Sequence, residues 1–415
     1  MADKPKAIVL GGTIPHKALI ERLKKRGYET ILIDYFEHPP AAEAADLHVR
    51  ESAMDKEKVL QIAKEIKADL VICTCLDQQI VVACYVAEQL GLPRPYSLET
   101  AQSATNKEQM KRKMIEHEIP TSSYVVVNDL TQIETIDLKL PIIVKPADSN
   151  GAAGVTLVEQ YDDLKQAIKE ALRWSRAGTA IIEEFVEGVE VSVYTYIQDN
   201  KAHVLLTSQR FSELGEKDDC VRCYCSIAPA NISPSAYGNM QKISDKIADA
   251  FGLNNTPMFY QSIVQGDDVS VIEFAPRLGG GLCYRTIEET TGFDIMDASI
   301  DSYLSNQVAL AYTAPRYYYL THQIHGYPCT FDHLEGFDGL LRNQIVDEVY
   351  YHKSKGAKVS DDKSSGARIA AFLIRSEDRT QFPAKAKMVV DCVDVYDMKN
   401  NKVTDRTLYL KESDL

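Results

Sequence analysis

Three short apolar runs in the first hundred residues alternate with amphipathic stretches, and nothing else in the chain limits the fold as strongly. Lys6–Leu10, Thr30–Ile33 and Leu70–Thr74 read as strands, while Pro15–Lys25, Lys56–Lys67 and Gln79–Leu90 read as helices. Gly27 and Gly91 stop two of those helices. Strand–helix alternation predicts a parallel, doubly wound sheet. Gly11-Gly12-Thr13 after the first strand and Asp34 at the end of the second are arranged as in a nicotinamide-dinucleotide domain. His16, however, stands where that fingerprint needs its third glycine. The favoured expectation is a small α/β domain that helps to wall in a substrate. Asp77 and Gln78 follow the third strand, where such sheets bind ligands, although loop solvation is the simpler reading of both.

A chain of 415 residues has room for two or three domains with sizeable cores. No apolar run approaches the roughly 20 residues needed to cross a bilayer. The start, MADKPKAIVLGG, runs straight into a strand pattern, so a cytoplasmic protein is expected. A net charge of −14 without a lysine- or arginine-rich tract argues against nucleic-acid and membrane surfaces. A phosphate ligand must then be met locally, by amides, a few cations and Mg²⁺. The nine cysteines are odd in number and scattered, as expected of reduced thiols. Cys220, Cys223 and Cys225 lack a fourth partner at zinc spacing and read as small core residues.

Leu92-Pro93-Arg94-Pro95 is a rigid punctuation mark. Beyond it come a helix with Asn106, Lys107 and Lys111, the strand Ser123–Val127, and the strand Pro141–Lys145 with Lys145 at its end. A loop of small residues follows, Ser149, Asn150, Gly151, Ala152, Ala153, Gly154 and Val155, through which backbone amides can close over phosphates. It is no Walker A loop, and alone it reads as a hairpin turn. Lys145 at its base suits a polyphosphate. Asp162 opens an amphipathic helix, and the strand Ala180–Ile182 runs into Glu183-Glu184-Phe185-Val186-Glu187-Gly188-Val189-Glu190. That stretch can offer backbone groups to a purine edge, and Glu190 can accept from ribose hydroxyls. Val269–Phe274 is a further strand, carrying Glu273. Pro276 ends its pairing, and Arg277 leads into Gly279–Gly281. A carboxylate on a rigid strand, followed by a guanidinium and a glycine loop, suits a hard cation bound beside phosphate or acyl-phosphate oxygens.

In this order and spacing, Lys107, Lys145, the SNGAAGV loop, EEFVEGVE and IEFAPR resemble the ATP-grasp superfamily over roughly Ser97–Leu304. The resemblance implies three parts: an N-terminal doubly wound parallel-sheet (pre-ATP-grasp) domain at 1–96, a two-lobed ATP-grasp domain at 97–304, and a C-terminal α+β lobe at 305–415. It further implies that Lys107 and Lys145 bind ATP phosphates beneath the Ser149–Val155 loop. Glu183 or Glu184, with the backbone at Phe185 and Val186, would hold adenine, and Glu190 the ribose. Gln261, on the strand before the final motif, and Glu273 would hold Mg²⁺, with Mn²⁺ as an alternative ion. Many members carry Asn two residues after that glutamate, whereas this chain has Ala275, which leaves the number of metals open.

The implied activity is ATP-dependent carboxylate–amine ligation through an acyl phosphate, releasing ADP and phosphate. Arg277 would steady the tetrahedral oxyanion, and Arg285, behind the triple glycine, would face the γ-phosphate. Arg210 and Arg222 lie where the family builds its acceptor pocket, although ion pairing explains each as well. Glu288 and Glu289 read as acidic complements at a helix start. The partners expected are a small carboxylate and a small amine, with a homodimer as the base-rate assembly. The rival readings are a carboxylating enzyme that activates bicarbonate, a nucleotide-binding module without catalysis, and a nicotinamide-dependent oxidoreductase.

Overall fold

The computed structural model describes residues 4–148, 154–214, 221–360 and 365–415. The alternation at the N-terminus forms the expected parallel sheet. Its strands lie in the order Leu47–Val49, Glu29–Ile33, Lys6–Leu10, Leu70–Ile72, so the first strand is central. Helices Ile14–Lys25, Lys56–Ile66 and Asp77–Leu90 make the crossovers, and Lys67 and Gly91 cap the last two in the left-handed region. The edge strand Leu47–Val49 escapes a sequence reading because it is three residues long and none of them is buried.

A small antiparallel sheet follows, in the order Tyr124–Val127, Ala180–Glu184, Ile142–Pro146, Thr156–Val158. Helix Tyr161–Trp174 lays Leu164, Ile168 and Ala171 on it, closing a core with Val127, Ile142, Val144 and Ile182. Such a core holds together by burying apolar area at about 25 cal/mol per Å². The single helix expected around Asn106 is two helices, Leu98–Thr105 and Lys107–Glu116. Asn106 is extended between them, and its side chain accepts from Gln109 N–H at 3.0 Å, capping the second.

Most of the remaining strands build one large antiparallel sheet in the order Asp268–Ala275, Thr256–Gln265, Val189–Gln198, Lys201–Leu214, Val221–Ala228, Tyr318–Gly326, Arg368–Ser376, Glu348–Tyr351. The strands beyond residue 304 therefore continue the sheet that carries Glu273, since Cys225 pairs with His322 and Ile227 with Leu320. The N-terminal sheet shares its apolar core with this larger one, from Ile8 and Leu32 through Met110 to Tyr260 and Ile287. Charged contacts reinforce that junction. Arg22 reaches Asp294 (2.8 Å) and Glu288 (3.1 Å), and Arg26 reaches Asp297 and Asp301 (both 2.7 Å). The Tyr303 hydroxyl donates to the Cys73 carbonyl at 2.8 Å. Among the described residues no helix is long and apolar enough to cross a membrane.

Candidate functional site

A cleft of about 710 Å³ opens where the three sheets converge, lined from the N-terminal unit by Cys75, Leu76 and Asp77 and from the large sheet by Gln261, Glu273 and Arg277. Its centre follows from strand register. Thr256–Gln265 and Asp268–Ala275 form a tight hairpin in which Gln261 and Glu273 are direct cross-strand partners, so both side chains project from one face. With its amide oriented to satisfy both neighbours, Gln261 donates to Glu273 Oε1 (3.1 Å) and accepts from Arg210 Nη1 (2.9 Å). Lys107 Nζ lies 3.3 Å from Glu273 Oε2, and Arg210 Nε lies 2.7 Å from Glu190 Oε1. The result is a row of alternating charge, Lys107, Glu273, Gln261, Arg210, Glu190, across the cleft floor. Burial alone would raise the Glu273 pKa, but Lys107 and Lys145 outweigh it and hold the carboxyl below its usual value.

A second cluster lies beneath the first. Glu183, buried at the end of its strand, pairs with Lys145 on one oxygen and with Lys111 Nζ on the other at 2.6 Å. Ser122 Oγ donates to the same carboxylate at 2.5 Å, and Lys111 also donates to Thr121 and Ser122 hydroxyls at 2.8 and 3.0 Å. Burial opposes the charge on Glu183, yet the two ammonium groups bring its pKa down to about 2. Burial lowers Lys111 to about 8, with Glu183 acting the other way.

Arg277 is held from three sides. Its Nε and Nη2 both donate to Asp77 Oδ1, the former at 2.8 Å, its Nη1 donates to the Leu278 carbonyl at 2.8 Å, and its guanidinium carbon lies 4.8 Å from the centre of the Phe259 ring. Asp77, read from sequence as a solvated loop residue, is thus the counter-ion of Arg277 and the first residue of its helix. Beside it, the space over the first glycine loop is already filled. A Cβ on Gly12 would lie 2.3 Å from Pro39, and one on Gly11 would lie 2.5 Å from Leu76. His16 is buried against Thr13, Cys73 and Cys75, and burial, then Arg277, lowers its pKa to about 3. A dinucleotide pyrophosphate has no approach to those amides.

A family model described as an ATP-grasp domain matches residues 138–286, the span that supplies Lys145, Glu183, Gln261, Glu273 and Arg277. The chain carries an ATP-grasp domain. It is similar to a formate-dependent phosphoribosylglycinamide formyltransferase of Mannheimia succiniciproducens, at 26% identity over 66% of this chain and 69% of the relative. Its backbone resembles the crystal structure of an L-amino acid ligase from Bacillus licheniformis (TM-score 0.78, 18% identity, 96% of this chain and 100% of the other). It also resembles the biotin carboxylase domain dimer of a Hydrogenobacter thermophilus 2-oxoglutarate carboxylase in complex with MgADP, ADP and bicarbonate (TM-score 0.77, 15% identity, 97% and 92% coverage). The expected mixed α/β architecture, with a parallel N-terminal sheet preceding an ATP-grasp fold, is what the chain has.

The ATP-grasp cleft collects most of the residues singled out from sequence: Lys107, Lys145, Val155, Glu183, Glu184, Phe185, Val186, Glu190, Gln261, Glu273 and Arg277 all line it. Ser149, Asn150 and Gly151 lie outside the described residues, and Gly154 packs against Pro146 and Trp174. Three expectations need correcting. Arg285 does not face the cleft. It sits on helix Cys283–Thr291 and is bound by Glu348 at 2.7 and 3.0 Å and by Glu288 and Glu289. Glu288 and Glu289 are near the end of that helix, not its start, because the helix begins at Cys283 with no capping side chain to announce it. The Glu183 side chain serves the two lysines, leaving it no reach for adenine. The Glu184 and Phe185 N–H groups are also committed, to the Ser123 and Pro141 carbonyls at 3.0 Å each. Gly188 is required where it stands, since its φ is +148° and a Cβ would lie 2.5 Å from the Val264 carbonyl oxygen. Sequence reasoning named Lys111, one helical turn from Lys107, without giving it a role, and missed Arg368 altogether, whose strand carries no motif.

The donor set suits a hard divalent cation. Turned over from its contact with Arg210, the Gln261 amide would set its oxygen beside the Glu273 carboxylate, and Mg²⁺ is commonly held by one or two such groups with water and phosphate completing the shell. Ala275 is buried and adds no donor. Among the described residues no cluster of three histidine, cysteine or carboxylate ligands is assembled.

Proposed function

We propose that this chain is an ATP-dependent carboxylate–amine ligase that forms an amide or peptide bond through an acyl phosphate and releases ADP and phosphate. The observation that carries the reading is the cross-strand pair Gln261–Glu273, with Lys107, Lys145 and Arg277 in the same cleft. ATP would lie with its phosphates against Lys107 and Lys145, its base along Glu184–Val186 and its ribose near Glu190. Gln261 and Glu273 would hold Mg²⁺, which, when bound, neutralises phosphate charge and aligns the terminal phosphorus. The substrate carboxylate attacks that phosphorus in line, and ADP leaves. The amine then attacks the acyl carbon, Arg277 steadies the oxyanion, and phosphate leaves. Fixed charges and alignment do the work, with no protein nucleophile.

The proposed division remains 1–96, 97–304 and 305–415, the shared sheet making the last two one structural body. A cytoplasmic location and a homodimer are part of the same reading; the Hydrogenobacter neighbour is a dimer, and the net charge of −14 disfavours nucleic-acid partners. The test is phosphate release from Mg·ATP by the full chain against pooled amino acids, with and without bicarbonate. Release that depends on amino acids supports the ligase, and splitting the pools names the substrates. Release that needs bicarbonate alone overturns it in favour of carboxylation.

A further inference from the structure

Gln261 is claimed from two sides. Its amide donates to Glu273 Oε1 at 3.1 Å and accepts from Arg210 Nη1 at 2.9 Å, and these two contacts fix its orientation. Turned over, its oxygen would face a carboxylate and its NH₂ a guanidinium, acceptor against acceptor and donor against donor. A divalent cation seated between the amide oxygen and Glu273 removes the first conflict. It leaves the second, because a guanidinium has donors only. The reach of Arg210 follows from strand register. Gln261 lies opposite Ser192 on the next strand, and Ser192 lies opposite Ser208 on the one after, so two small residues leave the cleft floor open to a long side chain. Arg210 Nε stands 2.7 Å from Glu190 Oε1, yet its N–H is not aimed at an acceptor. The guanidinium is thus oriented for Gln261 in preference to its own counter-ion. Lys107 stands 3.3 Å from the other oxygen of Glu273, so both prospective metal ligands are already engaged.

We propose that Arg210 is a positioning residue for the metal site: it parks the Gln261 amide with its oxygen turned away from Glu273, and a divalent cation binds only as that amide turns over and gives up Arg210. Arg210 in this way sets the cation affinity without touching the cation. The inference rests on the assignment of Gln261 and Glu273 to Mg²⁺ in the ligase reading. Its consequence is that the chain alone holds the ion weakly and depends on oxygens brought by the nucleotide.

The test is titration of the full, nucleotide-free chain with Mn²⁺, the free ion being counted by electron paramagnetic resonance. Arg210→Lys keeps the positive charge beside Glu190 but loses the forked reach to Gln261. It is expected to tighten Mn²⁺ about tenfold, the scale of one charge-assisted hydrogen bond that no longer has to be broken. Gln261→Ala has no amide to hold, and the two oxygens of Gln261→Glu serve Arg210 and the cation together. In both backgrounds Arg210→Lys is expected to leave affinity unchanged. Circular dichroism checks that each variant keeps its fold. Unchanged or weaker Mn²⁺ binding by a folded Arg210→Lys chain overturns the inference. So does equal tightening with and without the Gln261 amide, which would make the effect of Arg210 one of field alone. In either case the metal assignment stands as long as Glu273→Gln weakens Mn²⁺ binding. Binding untouched by Glu273→Gln removes that assignment and this inference with it.

Discussion

Asp77 and Arg277, 200 positions apart, are joined by two hydrogen bonds to a single carboxylate oxygen, and this contact fixes the guanidinium that overlooks Glu273. Arg277 is buried and Asp77 largely so, which makes the pair more than a surface contact. Asp77→Asn keeps the shape and removes the charge. Stability measured by urea unfolding is expected to fall by about 2 kcal/mol. In kinetics the KM for the carboxylate substrate rises while that for ATP holds, because the proposed nucleotide position is against Lys107 and Lys145.

Glu183 makes stability depend on acid. Its pKa is about 2 in the folded chain against an ordinary 4.5. The folded state therefore binds fewer protons than the unfolded state between those values. The stabilisation is complete above about pH 4.5 and is lost as pH falls through about 2. Glu183→Gln should abolish that part of the acid transition in thermal melts. It should also cost on the order of 3 kcal/mol at neutral pH, because two buried ammonium groups lose their counter-charge.

Lys111 lies behind Lys145, and the two share one carboxylate. Lys111→Met fills the same volume but leaves Glu183 to Lys145 alone, which draws that ammonium away from a phosphate. Affinity for Mg·ATP by calorimetry should weaken about fivefold, equivalent to about 1 kcal/mol. An unchanged affinity would mean that Lys111 serves only packing.

Glu273→Gln tests the metal assignment. ADP formation should drop by about a hundredfold or more, the scale of losing one positioned electrostatic group. The Mg²⁺ concentration giving half-maximal rate should rise. Metal-free nucleotide affinity should rise, since a negative charge beside the phosphates is removed and Lys107 is released from this ion pair.

What was legible in the sequence follows from distance along the chain. Gln261 and Glu273 were named together through the family resemblance; the two-residue turn at Gly266 and Asp267 sets the hairpin, but a bulge between Gln261 and Ser262 is what brings them opposite each other. Lys107 and Lys145 were legible as cations beside helix and strand ends. The helix after Gly279–Gly281 was misplaced because glycines and an uncapped Leu282 hide its start. The Asp77–Arg277 contact, the place of Arg368 in the cleft lining and the sharing of Glu183 by two lysines were not legible. Each depends on elements brought together over 38 or more positions, and local periodicity carries no trace of them.

The junction of the N-terminal unit with the large sheet bears on how such a chain can change over generations. Arg22 and Arg26 on one side answer Asp294, Asp297 and Asp301 on the other, and Asp77 answers Arg277. A recombination that exchanged the first hundred residues with those of a relative would bring in one half of each pair without its mate. Co-inheritance of the two parts is the expected consequence, and trees drawn separately from each should share the same branching order.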